Sequence, residues 1–305
     1  MWADGPGGLS ASPLQGRFAA TDRQLEDTMR VLESFSAWYE PASPQMVRVA
    51  RDDPKTALKM FLTYAFGGRS GAPKEYWVAA LHAVDETWTG SAESDVIRIW
   101  QRFRQIVDKA NDSRNPLNSA IDQKIPAVLG LDFVDVLRRL ELGQVREAFI
   151  GVRRVRGVGV KIASFFLRDV VHVLGLYDSA WDVGASCYVQ PVDLWVRETA
   201  LALGLQRPVP DAVMNRDLGV DAPYIWGLCW MCKQYGINPL RFNEGAWIYG
   251  SQVASTVKYL RRLLKEGPQS MVTAALRVQP WVPDFEVAKL QAALREAGLD
   301  YLLRR

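Results

Sequence analysis

Val155-Arg156-Gly157-Val158-Gly159-Val160-Lys161-Ile162-Ala163-Ser164-Phe165-Phe166-Leu167-Arg168-Asp169 is the stretch on which the reading of this chain turns. Two glycines flank one small apolar residue directly before an apolar run that continues as a helix to Leu174. Glycine at such a junction lets the backbone turn tightly and leaves its amides open to an approaching anion. The first turn of the following helix adds positive partial charge. The expectation is a hairpin of two helices able to hold a phosphate, with a plain helix–helix turn as the alternative. Lys161 falls in the first turn of the second helix, among Val160, Ile162, Ala163, Phe165 and Phe166. Those neighbours predict a partly desolvated lysine, a setting that favours a nucleophilic amine.

Working outward, helical periodicity dominates and period-two alternation is scarce, so the chain reads as all-α. Val96, Ile99, Trp100, Phe103, Ile106 and Val107 lay an apolar stripe along one helix while Arg98, Arg102, Gln105 and Asp108 face water. Thr21 and Gln24 have capping-box spacing before another helix. Further helices are predicted over 54–66, 74–88, 131–142, 160–174, 190–204, 223–235, 251–266 and 284–297, divided by Gly and Pro punctuation. Residues 175–192, with Gly175, Asp178, Asp182, Gly184 and Pro191, read as a long loop or short extra turn. Residues 1–20 read as a flexible tail, 21–250 as a helical core containing the hairpin at 150–165, and 251–305 as helices that close or extend that core.

The totals exclude more than they select. A chain of 305 residues with 49% hydrophobic and 23% charged residues is an ordinary globular composition, and a net charge of +3 does not by itself announce a polyanion partner. The three cysteines, Cys187, Cys229 and Cys232, make no disulfide framework, and Cys229-x-x-Cys232 has no second ligand pair at metal-binding spacing. No metal is therefore expected, and no apolar run reaches the length of a membrane span, which predicts a cytoplasmic, nucleoid-associated protein and a monomer. Eleven tryptophans are unusual; core filling is the expected role for most, and stacking on a base is open to the rest.

Downstream, Pro191-Val192-Asp193-Leu194-Trp195-Val196-Arg197 places an acidic residue at the start of another helix, where an N-cap carboxylate is the ordinary reading. Together, Gly157-Val158-Gly159 with Lys161 and the Pro-Val-Asp lead-in resemble the helix-hairpin-helix DNA glycosylases. The interval from Lys161 to Asp193, the Phe-Phe-Leu-Arg-Asp run after the lysine, and the later Pro239-Leu-Arg-Phe-Asn-Glu-Gly-Ala-Trp247 are similar to the archaeal 8-oxoguanine glycosylase branch. The similarity spans residues 21–250, with about forty residues carrying diagnostic motifs.

The resemblance implies a two-lobed helical fold with its active-site cleft between the lobes. It makes Lys161 the nucleophile and Asp193 its carboxylate partner, with DNA containing a modified or damaged base as the substrate. Phe165 and Trp247 would sandwich the extruded base, Asn243 would meet its edge, and Trp77 is a further candidate for the pocket wall. Gly157, Gly159 and Arg156 would anchor a phosphate, with Arg153 and Arg154 adding charge. No cofactor is implied beyond a possible monovalent cation at the hairpin. The family branch carries an aspartate where this chain has Asn243 and a small hydroxyl residue where it has Val192. An amide offers a donor and an acceptor where a carboxylate only accepts, which leaves open a modified base other than 8-oxoguanine, pyrimidines included. Three alternatives stay open: a non-catalytic DNA-binding module, a monofunctional glycosylase in which Asp193 activates water, and a structural reading with Lys161 snorkelling and Asp193 merely capping.

Overall fold

The computed structural model describes residues 22–41, 44–67, 75–90, 92–110, 132–155, 157–209 and 216–254, and among them there is no strand. The helices are α1 Asp22–Ser34, α2 Pro44–Ala50, α3 Pro54–Gly67, α4 Glu75–Thr87, α5 Ala92–Ala110, α6 Phe133–Glu141 and α7 Val145–Arg153. They continue with α8 Val160–Leu174, α9 Val183–Ser186, α10 Leu194–Ala202, α11 Ala222–Gln234 and α12 Pro239–Ile248. None is long and apolar enough to cross a membrane.

Local chemistry accounts for many of these boundaries. Asp132 accepts from the Asp135 amide to start α6, and Asn238 accepts from the Leu240 and Arg241 amides to start α12, with Pro239 in its first turn. α8 ends at Gly175, whose φ of 68° is the left-handed conformation; its amide donates to His172 O and the Leu176 amide to Val171 O, a Schellman closure. α6 buries Phe133, Val136, Leu137 and Leu140, and α7 buries Val145, Ala148, Phe149 and Val152, one apolar face each at i, i+3, i+4, i+7. α5 buries Ile99, Phe103 and Val107, the stripe read from its sequence.

α8 sits at the centre of the packing. It lies against α2, α3, α7 and the turn at 187–189. Phe166 meets Phe61 of α3 edge-on, with ring centroids 5.1 Å apart, and Phe61 meets Phe133 of α6 at 5.2 Å. α1 and α12 approach so closely that a Cβ on Gly245 would lie 1.8 Å from the Leu32 carbonyl oxygen, leaving room for glycine alone.

Several expectations change. The helix expected over 190–204 begins at Leu194: Pro191 disfavours helical backbone before it, and the Asp193 side chain caps the helix that starts there. Helices α2 and α12 are not among those that the sequence pattern predicts, whereas α7 is the first helix of the expected hairpin and α9 is a short turn within the segment read as a loop or short extra turn. The predicted helix at 251–266 is described only to residue 254, as a π-helical turn Tyr249–Ala254. The tail at 1–20, Thr21 of the capping box, Arg156 and the helix at 284–297 lie outside the described residues. No described tryptophan is fully buried; Trp77, Trp88, Trp100, Trp226 and Trp247 pack against the core from its edge, and Trp38 is 58% exposed. All three cysteines are buried, and burial pushes the Cys187 and Cys232 thiols up.

Where α4 meets α5, burial alone would raise the Asp95 carboxyl, but the Thr89 amide (2.6 Å), the Thr89 hydroxyl (2.7 Å) and Arg98 all donate to it. They outweigh desolvation and hold it at about 2. A depressed carboxyl contributes stability above its unfolded value and loses it as pH falls through the folded one. Thermal melts of wild type and Asp95→Asn should therefore differ most at neutral pH and converge between about pH 4 and pH 2. A gap that stays constant with pH would show that the Asp95 charge does not stabilise this corner.

Candidate active site

The hairpin is present as two helices joined by a short turn. α7 ends at Arg153, the Val158 amide donates to the Val155 carbonyl, and α8 begins after Gly159. The two glycines differ in their demands. Gly157 has φ 79°, which favours glycine, whereas Gly159 has φ −84° and ψ 176°, open to any residue. A Cβ on Gly159 would meet nothing within 4 Å. Gly159 is the N-cap of α8, a position that prefers glycine to alanine, and its open Cβ direction also leaves room for an approaching phosphate. If the hairpin holds a phosphate of duplex DNA, Gly159→Ala should cost only about 0.5–1 kcal/mol of stability and weaken binding to the duplex by roughly tenfold, about 1.4 kcal/mol. Unchanged affinity in a fluorescence-anisotropy titration would leave the hairpin without a part in binding.

Lys161 is exposed and takes part in no ion pair among the described residues. The desolvation inferred from its sequence neighbours is thus not a property of the free protein. Along α8 the buried positions are Ala163, Ser164 and Phe166 to Val171, which go all round the helix, and Lys161 precedes them in the first turn. Arg154 is also exposed and unpaired among the described residues, whereas Arg153 donates to the Asp217 carbonyl.

Helical spacing sets Lys161, Phe165, Arg168 and His172 on one stripe of α8. Solvent access falls along it to Arg168: Lys161 is exposed, Phe165 half-buried and Arg168 fully buried, while His172 beyond is half-buried again. Arg168 is the hub. Its guanidinium lies 4.4 Å from the Tyr39 ring centroid and 4.7 Å from that of Phe165. It donates to Asp169 at 3.2 Å, to the Tyr39 hydroxyl, and through Nη1 to Asn243 Oδ1 at 2.9 Å. Asp169 also accepts from the hydroxyls of Tyr39 and Tyr64, the latter at 2.6 Å. Burial, with Asp169 alongside, pushes both tyrosine hydroxyls above their ordinary range. Arg168, although burial works against its charge, is held cationic by Tyr39, Asp169 and Glu244.

Asn243 is fully buried, and its Nδ2 donates to the Pro191 carbonyl at 3.2 Å. Its position is therefore not that of an amide waiting for a base: one end serves Arg168 and the other the backbone before Asp193. Asp193 itself is half-buried and caps α10, with Oδ1 accepting from the Val196 amide at 2.9 Å. One carboxylate oxygen is used for the cap.

The direction of α12 is set by its partners on α8 and beyond. Arg168 bonds Asn243, His172 Nδ1 lies 2.9 Å from Glu244 Oε1, and Tyr177 stacks under Arg241 at 5.1 Å. Trp247 meets Tyr39 edge-on at 6.0 Å, and Tyr39 in turn covers Arg168. The two expected stacking rings are thus joined through Arg168 and Tyr39. Asp193 is bracketed by α12 and the turn that follows it: Pro191 touches Asn243, and a Cβ on Gly250 would come within 2.5 Å of Trp195 Cβ. Trp77 of α4 is half-buried and makes no ring contact with Phe165 or Trp247 among the described residues.

Sequence reasoning missed the Arg168–Asp169 hub. The signal was there, a charged pair inside Phe165-Phe166-Leu167 and Val170-Val171, two turns after Lys161. Among the described residues no group of His, Cys, Asp or Glu is placed to hold a metal ion. Neither a family model, nor a curated protein, nor a solved structure matches the chain.

Proposed function

We propose that this chain is a DNA glycosylase with β-lyase activity, which takes a modified base out of the duplex and excises it through a Schiff base on Lys161. The proposed architecture is the two-lobed helix-hairpin-helix arrangement, with the base held in the cleft between lobes. One observation carries the reading: α8, which presents behind a glycine turn a lysine unpaired among the described residues, is tied by Arg168 and Asn243 to the backbone that delivers Asp193.

In this proposal the backbone at Gly157 and Gly159 and the charge of Arg154, with Arg156, hold a phosphate near the lesion. Such contacts position the enzyme without reading sequence. The extruded base, whose unstacking costs a few kcal/mol, is held by stacking between Phe165 and Trp247. One face of Phe165 is already covered by Arg168, so the base takes the other. Duplex bound over α8 strips water from Lys161, supplying the desolvation that the free protein lacks. The lysine nitrogen then bonds to sugar C1′ as the C1′–base bond breaks, and Asp193 accepts a proton from the alkylated amine and passes it to the leaving base. The sugar ring opens to an iminium as O4′ takes a proton from solvent, and loss of a C2′ proton to water with departure of the 3′ phosphate, a β-elimination, cuts the strand. Substitution and elimination leave the overall oxidation state unchanged, so no redox cofactor enters.

Asp193→Asn separates cap from chemistry, because asparagine caps a helix as well as aspartate does. Stability should change by less than about 0.5 kcal/mol, while the single-turnover rate of base release falls about 10²-fold or more. A variant that loses stability and activity in proportion would reduce Asp193 to a cap.

The test of the whole reading is borohydride reduction in the presence of duplexes bearing an abasic site and a panel of modified bases. The expected result is a covalent protein–DNA adduct with the abasic duplex and release of at least one free base. Binding without an adduct on any duplex would favour a non-catalytic module, and base release with the abasic strand left uncut would favour a water-activating Asp193.

A further inference from the structure

We infer that Asn243 is a positioning residue for Asp193 and does not read the base. The assignment rests on the glycosylase reading above and goes beyond it by giving a buried amide a defined task. Arginine can only donate and a backbone carbonyl can only accept, so the two bonds of Asn243 fix its orientation: Oδ1 toward Arg168 Nη1 at 2.9 Å, Nδ2 toward Pro191 O at 3.2 Å. The side chain has no exposed surface through which a base edge could reach it. Pro191 lies two residues before Asp193, in extended backbone that makes no helical hydrogen bond of its own. From Pro191 the tether runs through Asn243 to Arg168, and Arg168 is locked by Asp169, Tyr39 and the ring of Phe165. The same guanidinium therefore registers the segment leading to Asp193 and one stacking ring on the helix of Lys161.

An aspartate at 243 would keep the bond to Arg168 but face the Pro191 carbonyl oxygen with a second acceptor, pushing the Asp193 lead-in away. Displacement of a catalytic group by about 1 Å can cost on the order of 10²-fold in rate. The abasic site is the decisive probe, because it contains no base to read. On a saturating abasic duplex, Asn243→Asp is expected to slow borohydride trapping and strand cleavage about 10²-fold, with the dissociation constant for the same duplex unchanged within about twofold. Hydrogen exchange at the Val196 amide, which reports the Asp193 cap, should quicken in parallel. Should Asn243→Asp fold poorly by thermal melting, Asn243→Ser removes the tether without adding charge and is expected to show the same split.

Folded variants that trap abasic DNA at the wild-type rate overturn the assignment, and if they also release a different set of bases, Asn243 is a base reader after all. A wild-type chain that neither traps abasic DNA nor releases any base overturns the glycosylase reading itself, and the assignment with it.

Discussion

Lys161→Gln is expected to abolish the borohydride-trapped adduct and to lower strand cleavage at abasic sites on the order of 10³-fold or more, without unfolding the protein. Glutamine keeps the length and polarity of the side chain but has no amine to bond C1′, so the covalent route closes while the surface hardly changes. Lys161 is exposed and unpaired among the described residues, so its replacement should cost under about 0.5 kcal/mol. DNA affinity should fall only slightly, by the loss of one charge near phosphate. The reading fails if cleavage by Lys161→Gln stays near wild type. Continued base release without cleavage would instead assign Lys161 to the lyase step alone and give the glycosidic bond to water.

The second large effect concerns stability. Arg168→Leu should destabilise the fold by about 3–5 kcal/mol, because it strands the Asp169 carboxylate in the core and leaves Asn243 Oδ1 without its donor. Removing one partner of a buried pair is far costlier than removing both, so Arg168→Leu combined with Asp169→Asn should recover part of the loss. Urea denaturation of the wild type, the single and the double variant tests this. A single variant within about 1 kcal/mol of wild type would mean that the cation is dispensable to the core.

Features that depend on near neighbours are legible in the sequence. The glycine turn, the amphipathic stripe of α5 and the capping role of Asp193 all come from spacing within a few residues, and each is present. α12 is not legible because it is buried nearly all round: Leu240, Phe242, Asn243, Glu244, Ala246 and Ile248 leave no polar face to set a period, and Gly245 looks like a breaker. That glycine is instead the point where α12 passes the Leu32 carbonyl. The solvation of Lys161 differs from the expectation because sequence neighbours are not spatial ones; position 161 lies in the first turn of α8, ahead of Ala163, where the buried run begins. The hub is hidden for a stronger reason. Tyr39, Tyr64, Arg168, Asn243 and Pro191 come from five separate segments, and only packing of α3, α8 and α12 brings their polar atoms within bonding distance.

The residues expected to touch the base divide into two sets: Phe165, Trp247 and Trp77, half-buried rings with free surface, and Asn243, sealed in the core. Recognition would then fall to the stacking rings and to groups around them, while the buried amide and guanidinium hold Asp193 in register with α8.

The most direct test of the central claim is peptide mapping of the trapped adduct by mass spectrometry, after reduction of the wild-type chain with an abasic duplex and digestion of the DNA. The reduced sugar remnant should sit on the peptide carrying Lys161 and nowhere else. A remnant on another lysine, such as Lys233, or no modified peptide at all, would contradict the account.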